Sequence, residues 1–304
     1  MYSKVIPKKR FGQNFLIDEK VVADLVAAAD LPEADMATKA DVVIEIGAGT
    51  GVVTKELAKQ AGKVFAFEID SDLIPVQRSR LLNYKNVEII NKDFLKVNNQ
   101  ILSNTSALCS AEVFSDFKIV GSIPYQITSP LIHKLLTFDP RPSLVVLLIQ
   151  KEVAEKIAAR PPKATYLSNI VKLLGEVEMI RLVPKTAFWP APKVDGAIIK
   201  IVCSCPDVHR GPFEVDIEKF QKFLHRGFQH PRKMLRTKFD VADLESCGIA
   251  PTRRAQTLEL EEWFRLYTKI LNSKSSAPRR FAFGESKVPN KHQIHPLRGD
   301  RLAI

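Results

Sequence analysis

The chain has 304 residues, of which 45% are hydrophobic, so it can bury a sizeable core and is not disordered throughout. Its 45 Lys and Arg residues exceed its 34 Asp and Glu residues, which gives a formal net charge of +11 and a pI near 9.4. This excess favours a polyanionic partner, foremost a nucleic acid, although many proteins carry a similar excess on a solvated surface.

Cysteine spacing and hydropathy argue against several other classes of protein. No Cys-x-x-Cys pair is present, so we expect no metal site and predict free thiols in a reducing compartment. No apolar run is long enough to span a bilayer, and the N-terminal residues show no secretory signal pattern. The four cysteines are Cys109, Cys203, Cys205 and Cys247. We therefore expect a soluble, cytoplasmic protein.

Short apolar runs alternate with helical patterns over the first two thirds of the chain. The first run ends in glycines and is followed by a helical pattern that closes at Gly62, and a further helix begins near Lys151 and stops at Pro161. The predicted strands cover residues 42–46, 64–67, 87–90, 119–120, 144–149 and 197–202. This alternation predicts an α/β fold with a mostly parallel sheet that is covered by helices on both faces.

The character of the chain changes after Cys205. Residues 216–271 have helical periodicity, and the last part is rich in Ser, Pro and Arg, with seven Lys or Arg residues against two acidic ones. We predict three parts: residues 1–205 as a cofactor-binding catalytic domain, residues 206–272 as a small helical domain, and residues 273–304 as a basic, disordered tail.

The segment EIGAGTG (residues 45–51) is typical of a nucleotide-binding turn. Gly47, Gly49 and Gly51 follow a predicted strand and open a predicted helix, where glycine permits a tight turn and close approach of a ligand. Glu68 ends the next strand, about 20 residues later, and can accept hydrogen bonds from ribose hydroxyls. The spacing fits a dinucleotide or S-adenosylmethionine, and a plain strand-to-helix turn is the alternative without a ligand.

Asp93 and Phe94 follow the third predicted strand. Asp93 can accept a hydrogen bond from an adenine amine, and Phe94 can stack on the ring. Because Asp is a common residue at helix N-caps, a capping role for Asp93 is an equal alternative.

The segment SIPYQITSP (residues 122–130) predicts a turn that grips a flat base. Ser122 offers an oxygen acceptor, Pro124 restricts the backbone, and Tyr125 offers an aromatic face. With the nucleotide turn upstream, this pattern indicates a cofactor and a base that are brought face to face.

Eight segments occur in the order typical of the ribosomal RNA adenine dimethyltransferases, and the chain resembles that family from about residue 9 to residue 267. The segments are KRFGQNFL (9–16), EIGAGTG (45–51), the Glu68-Ile69-Asp70 acid, the Asp93-Phe94 pair, SIPYQITSP (122–130), QKEVAEKI (150–157), FWPAPKVDGA (188–197) and RKMLR (232–236). FGQNFL and RKMLR resemble the small-subunit enzymes more than the erythromycin-resistance methylases, which act on the large subunit.

The resemblance implies a Rossmann-like class I methyltransferase fold with a seven-stranded, mostly parallel sheet and a small C-terminal α-helical domain. It further implies dimethylation of N6 of two adjacent adenines in the 3′-terminal hairpin of small-subunit ribosomal RNA, with S-adenosylmethionine as cofactor. The partner would be a particle of the pre-30S type, and we expect a monomer.

Site residues are implied by the same resemblance. The cofactor residues would be Asn14, Leu16, Gly47, Gly49, Gly51, Glu68, Asp93, Phe94 and Ser122, and the catalytic residues would be Ser122, Ile123, Pro124, Tyr125 and Phe188. The side-chain oxygen at position 122 and the Ile123 carbonyl would hold the hydrogens of the adenine amine, so that catalysis rests on positioning and no strong general base is required.

Ser122 departs from the family pattern, which normally has Asn at this position. Serine keeps an oxygen acceptor but is shorter, which affects the expected rate and the second methyl transfer. A simple turn residue in a degraded site is the alternative for Ser122. The competing functions are therefore a non-enzymatic ribosome-assembly or transcription-factor relative and, with little support, a nicotinamide oxidoreductase.

Two basic clusters are predicted to contact RNA phosphates, which set affinity and register rather than sequence choice. Their members are Lys8, Lys9 and Arg10 in the first, and Arg226, Arg232, Lys233 and Arg236 in the second. A solvated helix face is an equal alternative for any one of them.

Overall fold

Seven strands form one sheet, and six of them contain the apolar runs predicted as strands, whereas the strand at Gly175–Val183 was not predicted. The computed structural model describes residues 5–32, 41–97, 117–138, 141–203 and 216–275, so Cys109, Cys205 and nearly all of the predicted tail lie outside the described residues. The strands of the sheet are β2 (Val42–Ile46), β3 (Lys63–Glu68), β4 (Val87–Asn91), β5 (Phe117–Ser122), β6 (Leu144–Gln150), β7 (Gly175–Val183) and β9 (Gly196–Cys203). A separate antiparallel pair consists of β1 (Phe15–Leu16) and β8 (Phe188–Trp189).

The strand order in the sheet is β4-β3-β2-β5-β6-β9-β7. The first five strands are parallel, whereas β9 runs antiparallel to both β6 and β7. The predicted α/β class and the seven-stranded, mostly parallel sheet are confirmed. The order reverses at β2, which lies between β3 and β5, and ligands of open α/β sheets bind at such switch points, beyond the carboxyl ends of the strands.

Helices cover both faces of the sheet. They are α1 (Glu19–Ala27), α2 (Val52–Leu57), α3 (Ile74–Arg80), α4 (Thr128–Leu136), α5 (Lys151–Ala158) and α6 (Tyr166–Lys172). Alternate residues of each strand point to opposite faces, so Ile44 and Ile46 enter one apolar cluster while Val43 enters the other. Residues 42–46 are buried throughout, as the continuous apolar run of a parallel strand predicts.

The C-terminal part is helical, as predicted. It contains α7 (Ile217–Phe228), α8 (Val241–Ser246) and α9 (Leu260–Ser275). These helices pack around Trp263, which is fully buried, and Gly227 permits the close approach because a Cβ at that position would lie 2.5 Å from the indole. The aromatic core of this part is continuous with the apolar cluster on one face of the sheet.

Two further findings concern the cysteines and the hydropathy of the helices. Among the described residues, Cys203 and Cys247 are free thiols. None of the helices in the described ranges is both long and apolar enough to cross a bilayer.

Candidate functional site

A cavity of about 370 Å³ lies at the carboxyl ends of β2, β3, β4 and β5. This volume falls in the range of small-molecule sites, which are about 300–1,000 Å³. Ten of the predicted cofactor and catalytic residues line it: Asn14, Gly47, Gly49, Glu68, Asp93, Phe94, Ser122, Ile123, Pro124 and Phe188. Arg10, a predicted RNA contact, lines it as well. Leu16 and Gly51 do not line it, because Leu16 is buried in β1 and Gly51 lies at the N-cap of α2. The ring of Tyr125 lies outside what the structure describes.

The glycine turn forms one wall of the cavity. Gly47 and Gly49 have φ angles of +74° and +57°, which lie in the left-handed region that favours glycine. A Cβ on Gly47 would lie 3.4 Å from the Ser122 carbonyl oxygen, and a Cβ on Gly49 would lie 3.5 Å from the Phe15 ring. Side chains at these positions would therefore fill the space between the turn, β5 and β1. Gln77 of α3 steadies the turn by donating a hydrogen bond to the Gly49 carbonyl at 2.8 Å.

Glu68 is buried at the end of β3, beside the glycine turn. Its two carboxylate oxygens accept hydrogen bonds from the Gly49 and Asp70 backbone N–H groups, each at 2.8 Å. Burial raises the pKa of Glu68, and the backbone hydrogen bonds offset only part of that effect. A carboxylate has about four acceptor sites, so Glu68 keeps capacity for the hydroxyls of a ligand.

Asp93 and Phe94 both line the cavity but also have structural roles. The Asp93 carboxylate accepts a hydrogen bond from the Leu95 N–H at 3.0 Å, which is the capping role given above as the alternative. Its other oxygen lies 3.9 Å from the Lys96 ammonium, whose side chain is largely exposed. Phe94 is buried, and its ring packs edge-on against Phe67 at 5.2 Å between centroids. Capping and ligand contact are compatible for Asp93, because the cap uses one oxygen.

The Ser122 turn lies beside the glycine turn, because β5 is the parallel neighbour of β2. Ser122 is the last residue of β5, and Ile123 is held in register because its N–H donates to the Leu148 carbonyl at 2.9 Å. Gly121 permits the approach of β2, since a Cβ there would lie 2.7 Å from the Ile46 carbonyl oxygen. The backbone at Ser122 is therefore fixed by its neighbours on both sides.

The pairing of β1 with β8 brings two distant segments to the mouth of the cavity. Leu16 is paired with Phe188, and Phe15 with Trp189, whose rings stack at 6.4 Å between centroids. This places Asn14 beside the FxPxP loop that starts at Phe188. Phe188 lines the cavity although it is only 7% exposed.

The predicted RNA contacts lie in different environments. Lys8 forms ion pairs with Asp70 at 2.6 Å and Asp72 at 2.5 Å, whereas the exposed Arg10 packs its guanidinium over Phe11, 4.6 Å from the ring centroid. Lys9 is also exposed.

In the second cluster, Arg226 donates to the Lys238 carbonyl at 2.6 Å and lies over the Phe239 ring. Arg232, Lys233 and Arg236 are exposed, and they form no ion pair within the described ranges.

Sequence patterns missed several residues of the site. Gln13, Phe15 and Ile69 line the cavity. Asp70 accepts hydrogen bonds from the side chains of Lys8 and Gln13. The only signal for them was their position inside the FGQNFL and Glu68-Ile69-Asp70 motifs. Within the part of the chain that the structure covers, no group of three potential metal ligands is present.

Comparison with known proteins identifies the family. A family model described as ribosomal RNA adenine dimethylase matches residues 6–272. The chain belongs to the ribosomal RNA adenine dimethylase family. It is 39% identical over 264 residues to ribosomal RNA small subunit methyltransferase A of Thermotoga maritima, a match that covers 86% of this chain and 85% of that relative.

Solved structures of a dimethyladenosine transferase and of an rRNA methyltransferase have the same fold. A dimethyladenosine transferase from Plasmodium falciparum is 25% identical with a TM-score of 0.70, and the match covers 86% of this chain and 98% of that one. The 23S rRNA methyltransferase ErmE is 27% identical with a TM-score of 0.64, and the match covers 84% and 99% of the two chains. The resemblance drawn from the sequence motifs is therefore confirmed. As a member of the adenine dimethylase family, the chain is an rRNA methyltransferase, and its methyl donor is S-adenosylmethionine.

Proposed function

We propose that the chain dimethylates N6 of two adjacent adenines in the 3′-terminal hairpin of small-subunit ribosomal RNA. The observation that carries this proposal is that one cavity joins the glycine turn, Glu68 and Asp93 to the Ser122 turn. The relative from Thermotoga maritima, which is named for the small subunit, supports the choice of subunit.

The residues of the cavity fit S-adenosylmethionine. The missing side chains at Gly47 and Gly49 leave a cradle for the body of the cofactor, and Glu68 would accept hydrogen bonds from its ribose hydroxyls. Asp93 would accept from the adenine amine through the oxygen that its cap does not use. Asn14 would face the methionine end from the N-terminal side. When bound, this cofactor supplies an electrophilic methyl group.

The Ser122 turn would hold the target base. An adenine N6 amine is a poor nucleophile because its lone pair is delocalised into the ring. The Ser122 hydroxyl oxygen and the Ile123 carbonyl would accept its two hydrogens and draw the nitrogen towards tetrahedral geometry. Phe188, and by prediction Tyr125, would pack on a base that has been taken out of its helix. The proton would leave after methyl transfer, so positioning supplies most of the catalysis.

The remaining parts of the chain would contact the RNA and its particle. We infer that residues 1–205 are the catalytic domain and that residues 206–272 bind RNA through the exposed Arg232, Lys233 and Arg236. We further infer that the protein acts as a monomer on a pre-30S-type particle in the cytoplasm.

The test is to incubate the protein with labelled S-adenosylmethionine and small subunits that lack the modification. Digested RNA should contain N6,N6-dimethyladenosine at two adjacent positions of the terminal hairpin. Intact cofactor binding with no methylated product would contradict the proposal and favour a non-enzymatic assembly relative. Product in large-subunit RNA alone would contradict the choice of subunit.

Ser122 variants test the proposed role of the turn. Ser122→Ala removes the acceptor oxygen and should lower kcat on the order of 100-fold with little change in cofactor Kd. Ser122→Asn restores a longer acceptor, so we expect an equal or higher rate and a larger share of the dimethylated product. Ser79→Asn, at an exposed position of α3, is the matched control. A large loss of activity in Ser122→Asn would mean that serine is specifically required in this site.

A further inference from the structure

The N-terminal segment (residues 8–16) forms part of the cavity wall and is tied to the end of β3 by polar contacts. Asp70 accepts hydrogen bonds from the Lys8 ammonium at 2.6 Å and from the Gln13 side-chain amide at 2.7 Å. The Lys8 backbone N–H also donates to the Gln13 side-chain oxygen at 2.7 Å, so the three residues form one closed cluster. Four consecutive residues of the segment, Gly12 to Phe15, line the cavity, and Gln13 belongs both to this lining and to the cluster.

Asp70 is built into this cluster. It is only 2% exposed, and one of its oxygens also caps the turn that follows β3 by accepting from the Asp72 N–H at 3.2 Å. Burial alone would raise the pKa of Asp70, but the hydrogen bonds from Lys8 and Gln13 outweigh that effect and lower it. The carboxylate is therefore ionised at neutral pH and holds its two donors through charge-assisted hydrogen bonds.

The cluster is connected to the ribose-binding acid through the backbone. The Asp70 N–H donates to one oxygen of Glu68, and the other oxygen of Glu68 accepts from Gly49. The end of β3 thus presents two acids, separated by Ile69: the Glu68 carboxylate binds the glycine turn, and the Asp70 carboxylate binds the N-terminal segment. A shift of the N-terminal segment would disturb both sides of the cavity.

We propose that Lys8, Gln13 and Asp70 are positioning residues that hold the N-terminal segment over the bound cofactor. This inference rests on the proposed cofactor site. It assigns Lys8 a role other than the phosphate contact predicted from the sequence, because two carboxylates already neutralise its charge. The neighbouring Lys9 is exposed and keeps the predicted RNA role.

The experiment measures the Kd of S-adenosylmethionine by isothermal titration calorimetry and the kinetics of methylation on small subunits. Lys8→Met and Asp70→Asn should each raise the cofactor Kd roughly tenfold, as expected for loss of a charge-assisted hydrogen bond. KM for the cofactor should rise in parallel, and kcat at saturating cofactor should change much less. Lys8→Arg should restore the Kd, because a guanidinium can reach both carboxylates. Lys20→Met, at an exposed position of α1, is the matched control.

A second readout separates this role from RNA contact. The slope of log K against log salt for subunit binding should be unchanged in Lys8→Met and reduced by about one in Lys9→Met. An unchanged cofactor Kd in Lys8→Met together with a reduced salt slope would overturn the inference.

Glu68→Gln shows which proposal has failed. If Glu68→Gln weakens cofactor binding while the Lys8 and Asp70 variants do not, the positioning role is wrong and the cofactor site stands. If Glu68→Gln also has no effect, the site assignment itself is wrong. Because Asp70 is buried, Lys8→Met decides the question if Asp70→Asn does not fold.

Discussion

Glu45 is a buried acid directly before the glycine turn, and it does not line the cavity. It is 2% exposed, and one of its carboxylate oxygens has no hydrogen-bond partner among the residues that the structure describes. Burial is the main cause that raises its pKa to about 8; the nearby charge of Glu68 adds to the shift, and Thr54 offsets part of it. Near neutral pH the folded chain therefore keeps a proton on Glu45 that the unfolded chain has lost.

The stability of the protein should depend on this proton. The unfolded pKa is near 4.5, so between about pH 4.5 and 8 the folded state binds more protons than the unfolded state. The contribution of Glu45 is fully present below the unfolded pKa and is lost as pH rises towards 8. Within this window its share of the free energy of unfolding should fall by about 1.4 kcal/mol per pH unit.

Glu45→Gln removes the titration while keeping the shape of the side chain. We expect the variant to gain stability relative to the parent as pH rises from 5 to 8, by a few kcal/mol in total. Urea unfolding at several pH values measures this difference. Glu245→Gln, at an exposed position of α8, should give a curve parallel to the parent. If the free energy of unfolding of Glu45→Gln also followed pH in parallel with the parent, Glu45 would be ionised in the folded protein.

Lys134 connects the helix that follows the Ser122 turn to the loop that carries Asp93 and Phe94. Its ammonium donates to the Leu95 carbonyl at 3.1 Å and also to the Val97 carbonyl. It lies over the Phe94 ring, 5.6 Å from the centroid. Burial lowers its pKa, and the charge of Asp93 opposes that shift. Thus α4 holds the segment that forms the adenine end of the proposed cofactor site.

Lys134→Met should loosen that segment without touching the cavity. Hydrogen bonds from charged groups contribute about 1.5–3 kcal/mol, so we expect a comparable loss of stability and a several-fold higher cofactor Kd. Thermal unfolding and calorimetric titration measure the two effects. Lys156→Met, at an exposed position of α5, should change neither. If Lys134→Met lost this much stability but kept the cofactor Kd of the parent, Lys134 would support the fold and not the cofactor site.

Most elements around the site follow from local patterns in the sequence. The strand bounds of β2, β3, β4 and β6 agree with the apolar runs, and the residues that follow these strands meet at one edge because parallel strands end there. Hence Glu68, Asp93 and Ser122 can be grouped from the sequence alone. Their shared cavity is a consequence of the strand order.

Long-range pairings could not be read from the same patterns. The sequence of β7, GEVEMIRLV, mixes charged and apolar residues because this strand lies at the edge of the sheet, with alternate residues more exposed. The β1–β8 pair contains two residues in each strand, which is too short for a periodicity. The Lys8–Asp70 ion pair joins residues 62 positions apart, and a basic run such as Lys8-Lys9-Arg10 carries no mark of which member is neutralised.

At the scale of the whole molecule, the net charge of +11 favours RNA binding only through those Lys and Arg side chains that are not already paired with an acidic side chain. Lys219 of α7 is basic, but its charge is compensated by Asp216 at 2.8 Å. Arg232, Lys233 and Arg236 are exposed and form no ion pair with any described residue. Because only uncompensated cations release counterions when they meet phosphates, we expect these three residues to contribute to the RNA affinity of the helical part.

The triple variant Arg232→Gln, Lys233→Gln, Arg236→Gln tests this distribution of charge. Each phosphate contact contributes about 0.7–0.9 to the slope of log K against log salt, so the slope for subunit binding should fall by about 2–3. The cofactor Kd should stay the same, because the three residues do not line the cavity. Lys219→Gln should leave the slope nearly unchanged, although it removes a formal charge. If the loss of slope per removed charge were the same in the triple variant and in Lys219→Gln, total charge, rather than these exposed residues, would govern binding to the subunit.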